Sequence, residues 1–359
     1  MKANTILRIL MLLAATVFSS CSSVNYRMET RIAKNGSVER TVYASADSAF
    51  LAGDRSHNPF LFEIGQEWKI ISLDSTETTP FLDENINVNV KIVSGERHVN
   101  AYSARIRGDE TTLPLAAPQE SLQRKFKWFH TYYIFEAVYK NIADKIPVPV
   151  SRYFDDAKQK LWFQGDFSAY SGMTGFEMKN VFDDAEEIFF VWYNANLYEK
   201  SLETVRSFTD NQHTSLLAEI KDRLFAETIK NKNITEIEFD PEYLCEILDS
   251  HLGIDYFSTL YAAKKSEIEK KFEENTRQFK IFENGIKYDL WLPGNIVSAN
   301  TSTREGGFLT WKVNALRFVS EDYVLTAQSR VTNIWAFVVT AALVLLSIIC
   351  LAKAFGKRY

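Results

Sequence analysis

Hydrophobic positions along this chain change period several times, and each change predicts a different element. Between residues 26 and 44 they alternate, at Tyr26, Met28 and Ile32 and again at Val38 and Val42. Alternation is the period of a half-buried strand. Lys34-Asn35-Gly36 lies between the two runs, and an Asn-Gly pair readily takes the left-handed turn conformations that a tight hairpin needs. Further strands are predicted at residues 67–73, at 98–106 and at 86–93, where Ile86, Val88, Val90 and Ile92 share one face. Residues 125–138 (KFKWFHTYYIFEAV) are the most aromatic stretch and read as a central, buried strand.

The period then lengthens. Residues 144–180, with Pro147, Pro149, Gly172 and Gly175, read as a connector with short helices. From about 184 to 282 apolar residues recur every three or four positions, as in Leu216, Leu217, Ile220, Leu224, Phe225 and Ile229, the spacing of an amphipathic helix. Asp240-Pro241 starts one helix and Gly253 stops it; Asp255 is placed to cap the next. Asn284-Gly285 either turns a hairpin or forms a left-handed helix cap; the seven-residue steps Ile268, Asn275, Phe282 favour the helix. Strand patterns return at 286–292, 296–299, 308–316 and 323–327, with Arg304-Glu305-Gly306-Gly307 as a turn. The order strands, helices, strands predicts an α+β fold: an antiparallel sheet formed from N- and C-terminal segments (21–140 and 284–333), with a connector and helical insertion (141–283) between them.

Both ends are apolar. Residues 334–352 (IWAFVVTAALVLLSIICLA) carry no charge and have only Thr340 and Ser347 as hydroxyls. As a helix this stretch spans roughly the ~30 Å hydrocarbon core of a bilayer. Lys353, Lys357 and Arg358 in the 353–359 tail place that tail in the cytoplasm by the positive-inside rule. At the other end Lys2 and Arg8 precede the apolar run 9–18, the pattern of a signal peptide ending at residue 20. Phe18-Ser19-Ser20-Cys21 resembles the lipobox of bacterial lipoproteins, with Phe18 in place of the usual Leu. The resemblance implies that Cys21 becomes a diacylglyceryl cysteine carrying chains such as palmitate. The two anchors agree: residues 22–333 lie outside the cytoplasm on the bacterial inner membrane, and the C-terminus lies inside.

Charge and cysteine content narrow the picture. The chain carries −5, but five basic residues and no acid lie in the two end segments, so the part between carries −10. That sign disfavours nucleic acid. With Cys21 assigned to lipid and Cys350 in the apolar helix, Cys245 alone remains in the exported part, which excludes an internal disulfide. Within an apolar helical pattern Cys245 reads as a small buried hydrophobe.

The lipobox and the Lys34-Asn35-Gly36-Ser37 hairpin, together with Leu292-Pro293-Gly294, Asn300, Trp311 and Ala327-Gln328-Ser329 before a spanning helix, resemble LppM-like bacterial envelope lipoproteins. That resemblance covers about a third of the chain and excludes the helical insertion. It implies an envelope-facing α+β domain that contacts lipids or glycolipids, and it carries no catalytic residues.

Residues that could carry chemistry are scattered. Gly172-Met173-Thr174-Gly175 lacks the further glycine and the lysine of a phosphate loop. His57, His98, His130, His213 and His251 stand singly, and Cys245 and His251 fall on opposite helix faces. His130 and Glu136 share a strand face but lie ~20 Å apart along it. The acid pairs Asp155-Asp156, Asp183-Asp184 and Glu186-Glu187 fit helix starts better than a two-carboxylate glycosidase. No catalytic, cofactor or metal residues are therefore assigned. Phe126, Trp128, Phe129, Tyr132, Tyr133 and Phe135, with Phe189, Phe190, Trp192 and Tyr193, read as an aromatic core or as an apolar groove between sheet and insertion. The expected function is that of a non-enzymatic membrane-anchored lipoprotein binding a lipid-like ligand or membrane partner. The alternatives are a hydrolase whose site comes from distant residues, and an assembly protein.

Overall fold

The computed structural model describes residues 25–81, 84–96, 98–231 and 237–356; Cys21, the signal segment and the last three residues lie outside that range. The fold is α+β, as the pattern predicts, but the strands divide between two sheets. A seven-stranded sheet has the order β3-β4-β2-β1-β7-β10-β9 and a four-stranded sheet the order β5-β6-β11-β8. The strands are β1 (Asn25–Ile32), β2 (Val38–Ala44), β3 (Lys69–Phe81), β4 (Glu84–Glu96), β5 (Gln119–Lys127), β6 (His130–Tyr139), β7 (Gly285–Trp291), β8 (Asn295–Ala299), β9 (Arg304–Glu305), β10 (Phe308–Asn314) and β11 (Tyr323–Thr332). Each sheet draws strands from both ends of the chain. All pairings are antiparallel except β1 with β7. That parallel pair puts the long excursion through the helices between two neighbouring strands, as a parallel pair requires.

Local chemistry explains most boundaries. At the first hairpin Asn35 Oδ1 accepts from the Ser37 amide (3.0 Å) and hydroxyl (2.7 Å), while Gly36 takes φ +91°. The split into two sheets turns on Pro293-Gly294. Gly294 adopts φ +85°, and the Ser329 hydroxyl donates to the Pro293 carbonyl (2.8 Å). The chain thereby leaves β7 in one sheet and enters β8 in the other.

Four long helices form the insertion: α1 (Gly175–Arg206), α2 (Asn211–Asn231), α3 (Pro241–Leu252) and α4 (Tyr256–Thr276). Thr174 and Glu177 close a reciprocal capping box at the start of α1, which begins nine residues before the predicted helical region. Asp240 caps α3 through the Tyr243 amide (2.7 Å), and Gly253 ends it at φ +68°. Asp255 does not cap α4. The buried Asp249 of α3 does so instead, accepting from the amides of Phe257 (2.9 Å) and Ser258 (2.7 Å), so the cap also fixes one helix on the other. Residues 277–283 continue as a 3-10 helix and run straight into β7, with Asn284 extended at φ −100°. Neither a hairpin nor a left-handed cap occurs there.

Two strand assignments are corrected. Within 98–106 a short helix forms at Asn100–Arg105, because Val99, Tyr102 and Ile106 lie at helical spacing and all three are buried. Residues 125–138 are not one strand but parts of β5 and β6, with the turn at Trp128-Phe129. Tyr133, Phe135 and Tyr139 are buried, whereas Phe126, Trp128 and Phe129 are exposed. The turn contains no Gly, Pro, Asn or Asp; tertiary packing against the C-terminal helix holds it.

That helix, α5 (Ile334–Gly356), includes a 20-residue stretch long and apolar enough to cross a membrane, and almost none of it is covered by protein. β11 continues to Thr332, so Asn333 alone joins the domain to α5.

Candidate functional site

One end of the two sheets is tied to α5. Asn333 donates from its amide to the Phe129 carbonyl (2.9 Å) and from Nδ2 to the carbonyls of Lys127 (2.9 Å) and Trp128 (3.1 Å). Its Oδ1 accepts from the Thr131 hydroxyl (3.0 Å). Trp335 stacks on Phe126 at 5° and meets Trp128 edge-on at 5.2 Å, and Phe337 packs on Phe129 at 4.6 Å. Trp128 Nε1 donates to Thr340 Oγ1 (2.9 Å). The hairpin tip thus runs alongside the first turns of α5. These aromatic residues form neither the core nor a groove against the insertion.

The main sheet ends at the same level. A Cβ on Gly294 would collide with the Arg330 carbonyl oxygen, which fixes the end of β7 beside the last rungs of β11. The Tyr133 hydroxyl donates to the Lys34 carbonyl (2.6 Å), placing the β1–β2 turn three residues from the tip of β6. A groove of about 980 Å³ opens there, lined by Arg31, Ile32, Val38, His98, Arg105 and Trp291 among others. Ile32 and Val38 form a buried floor, and the Trp291 ring is partly exposed. The guanidinium of Arg31 sits 4.4 Å over Phe308, and Arg105 pairs with Glu96. Glu39 and Glu96 also line the rim and Arg31 pairs with Glu29 (3.3 Å), so the rim charges are balanced, and the apolar floor is what suits an apolar chain. Four separate segments supply this lining, so no local motif could have signalled it.

A second groove, about 660 Å³, lies in the insertion between Tyr193, Leu197, Asp240, Tyr261, Phe279 and Glu283. Burial pushes the carboxyl groups of Asp240 and Glu283 above the ordinary range. A raised carboxyl pKa means that the folded state holds its proton longer than the unfolded state; stability from this group is greatest at low pH and falls as pH rises through the folded pKa. Glu283→Gln is accordingly expected to raise the melting temperature at neutral pH, with the gain vanishing below the ordinary carboxylate range. Thermal melts across pH check it.

Between the sheets lies a buried polar cluster. Arg40 of β2 pairs with Glu120 of β5 (2.6 Å), and both side chains are almost fully enclosed. The Tyr288 hydroxyl of β7 donates to the same Glu120 oxygen (2.7 Å), and the Arg40 guanidinium lies 4.2 Å over the Tyr102 ring. Neither side chain is open to solvent, and the cluster ties β2 and β7 of one sheet to β5 of the other. Partners 80 and 168 residues apart in sequence gave no local signal.

The remaining candidates stay apart. His57 pairs with Asp47 (2.6 Å) on the surface, which raises the imidazole pKa. His213 stacks on Tyr256 at 3.5 Å, and His251 contacts Arg223 at 2.9 Å. His98 is at the groove rim and His130 begins β6. Cys245 is buried, and burial pushes its thiol up to about 12, which suppresses the thiolate a nucleophile needs. Asp155 caps the short helix Asp156–Gln159. Asp183 and Asp184, in contrast, lie two turns inside α1 rather than at its start, where they pair with Lys179 and Lys158. Phe189, Phe190 and Trp192 are core residues. Among the described residues no group of three or more His, Cys, Asp or Glu could hold a metal ion.

No protein-family model matches the chain. No curated protein matches it significantly in sequence. Among solved structures, the NMR structure of the folded domain of the Mycobacterium tuberculosis LppM protein aligns with 89% of this chain and 95% of its own length, at 9% identity and a TM-score of 0.26. The likeness is a weak one.

Proposed function

We propose that this protein is a non-enzymatic, membrane-anchored bacterial envelope lipoprotein whose exported domain holds a lipid-like ligand in the groove beside Trp291. The carrying observation is position. The groove opens at the end of the sheets from which α5 departs, so with α5 across the inner membrane it faces the leaflet on the domain's side. A ligand with an acyl chain would then enter from the bilayer without crossing water. Native mass spectrometry of the full-length protein extracted from membranes tests this. An amphiphile retained by the wild type and lost from Arg31→Glu/Trp291→Asp supports the reading. An empty protein, or equal retention by the variant, overturns it.

Acylation of Cys21 belongs to the same proposal and constrains the domain's posture. Asn25 begins β1 at the end remote from α5, level with Gly285 and Asn314. Four residues of extended chain reach ~14 Å, whereas the seven steps of β1 rise ~23 Å. Both anchors fit one leaflet when β1 leans to within roughly 35° of the membrane plane, with Asn25 held up to ~14 Å above the groove end. Cys21→Ser should abolish acyl labelling, and a chain ending before Ile334 should stay membrane-bound through lipid. Release of that shortened chain would contradict the acylation.

A further inference from the structure

The β5–β6 hairpin tip has the features of a second membrane-inserted element. Thr340 follows Ile334 by six residues, or ~9 Å along a helix axis, and Trp128 reaches it with a direct hydrogen bond. If the bilayer begins where α5 turns apolar, the tip must enter it too. Backbone carbonyls there cannot rely on water. The three at the tip, on Lys127, Trp128 and Phe129, are all taken by the single residue Asn333. Phe126, Trp128 and Phe129 stay exposed although they pack on α5, as suits rings at a lipid interface.

The adjoining rungs carry the complementary charge. Cross-strand pairing aligns Lys125 with Tyr132 and Arg330, and Lys127 with His130, on the outer face of the smaller sheet. Lys127 Nζ lies 5.2 Å from the centre of the Tyr132 ring. Among the described residues no carboxylate pairs with Lys125, Lys127 or Arg330. The nearest acid of β6 on that face, Glu136, is four residues farther from the tip. This is an unpaired basic row at the foot of a segment whose net charge is −10.

We propose that the tip inserts into the leaflet on the domain's side and that Lys125, Lys127 and Arg330 bind the phosphates of anionic phospholipids. The proposal shares with the function above only the reading of α5 as a span and does not depend on the groove. The test uses full-length protein in nanodiscs, with a nitroxide at position 345 confirming that α5 lies in the bilayer. Trp128→Phe identifies the Trp128 emission by subtraction, and Phe129→Trp adds a second reporter. Both signals should be quenched several-fold more by lipids brominated on the acyl chain than by acrylamide. The reverse order, with position 345 in the bilayer, would overturn insertion. Lipid that co-isolates from mixed phosphatidylcholine and phosphatidylglycerol should be enriched several-fold in the latter, and Lys125→Gln/Lys127→Gln/Arg330→Gln should remove that enrichment without shifting thermal unfolding. Equal enrichment in variant and wild type would overturn the headgroup contact.

Discussion

Glu120→Ala is expected to destabilise the domain by about 3–5 kcal/mol, the cost of leaving one member of a buried ion pair uncompensated. Arg40 would lose the carboxylate that holds it at 2.6 Å while remaining nearly fully enclosed, and Tyr288 would lose its acceptor. Desolvation opposes the charge on Arg40; Glu120 and the surrounding rings favour it, and the guanidinium pKa is raised. The paired replacement Arg40→Met/Glu120→Leu should recover most of the loss, since an apolar pair of similar volume removes both desolvation penalties. Denaturant titration of the full-length protein in detergent, comparing midpoints at constant slope, measures both. A loss below about 1 kcal/mol for Glu120→Ala would mean that water reaches the cluster and screens it as it does a surface pair.

The second large effect is expected at Gly294. Alanine there meets two obstacles. A side chain at φ +85° is strained, at about 1–3 kcal/mol, and its Cβ would overlap the Arg330 carbonyl. The backbone must move apart, which separates β11 from the chain that follows the groove residue Trp291. Gly294→Ala should therefore lower stability by more than the strain alone and weaken retention of the groove's ligand. Gly36→Ala supplies the comparison. It has a similar φ, +91°, and open space around the added Cβ, so only strain applies, and the smaller loss should leave the groove intact.

Elements whose cause is local were legible from the sequence. Asn35-Gly36 makes its turn through side-chain and backbone groups two residues apart, and Asp240, Pro241 and Gly253 bound α3 within one stretch of chain. The readings that failed were those in which distant packing decides. Tyr102 lies in a segment of strand-like composition, but its burial together with Val99 and Ile106 selects a helix. Trp128-Phe129 turns without any turn residue because α5, two hundred residues later, covers it. Asp255 looked like the nearer cap, and Asp249 won because α3 packs its carboxylate against the first amides of α4. The apolar run of α5 was plain, whereas the groove beside it unites β1, β2, β4, the 100–105 helix and the end of β7.

The groove end of the domain is expected to stand at the bilayer and the opposite end away from it. Nitroxides at Lys34→Cys, in the β1–β2 turn, and at Glu321→Cys, before β11, sample the two ends in a background with Cys350 replaced by alanine. Against vesicles carrying a lipid-bound nickel chelate, the label at 34 should relax several-fold faster than the label at 321. Equal relaxation, or the reverse order, would contradict the placement of the groove at the membrane.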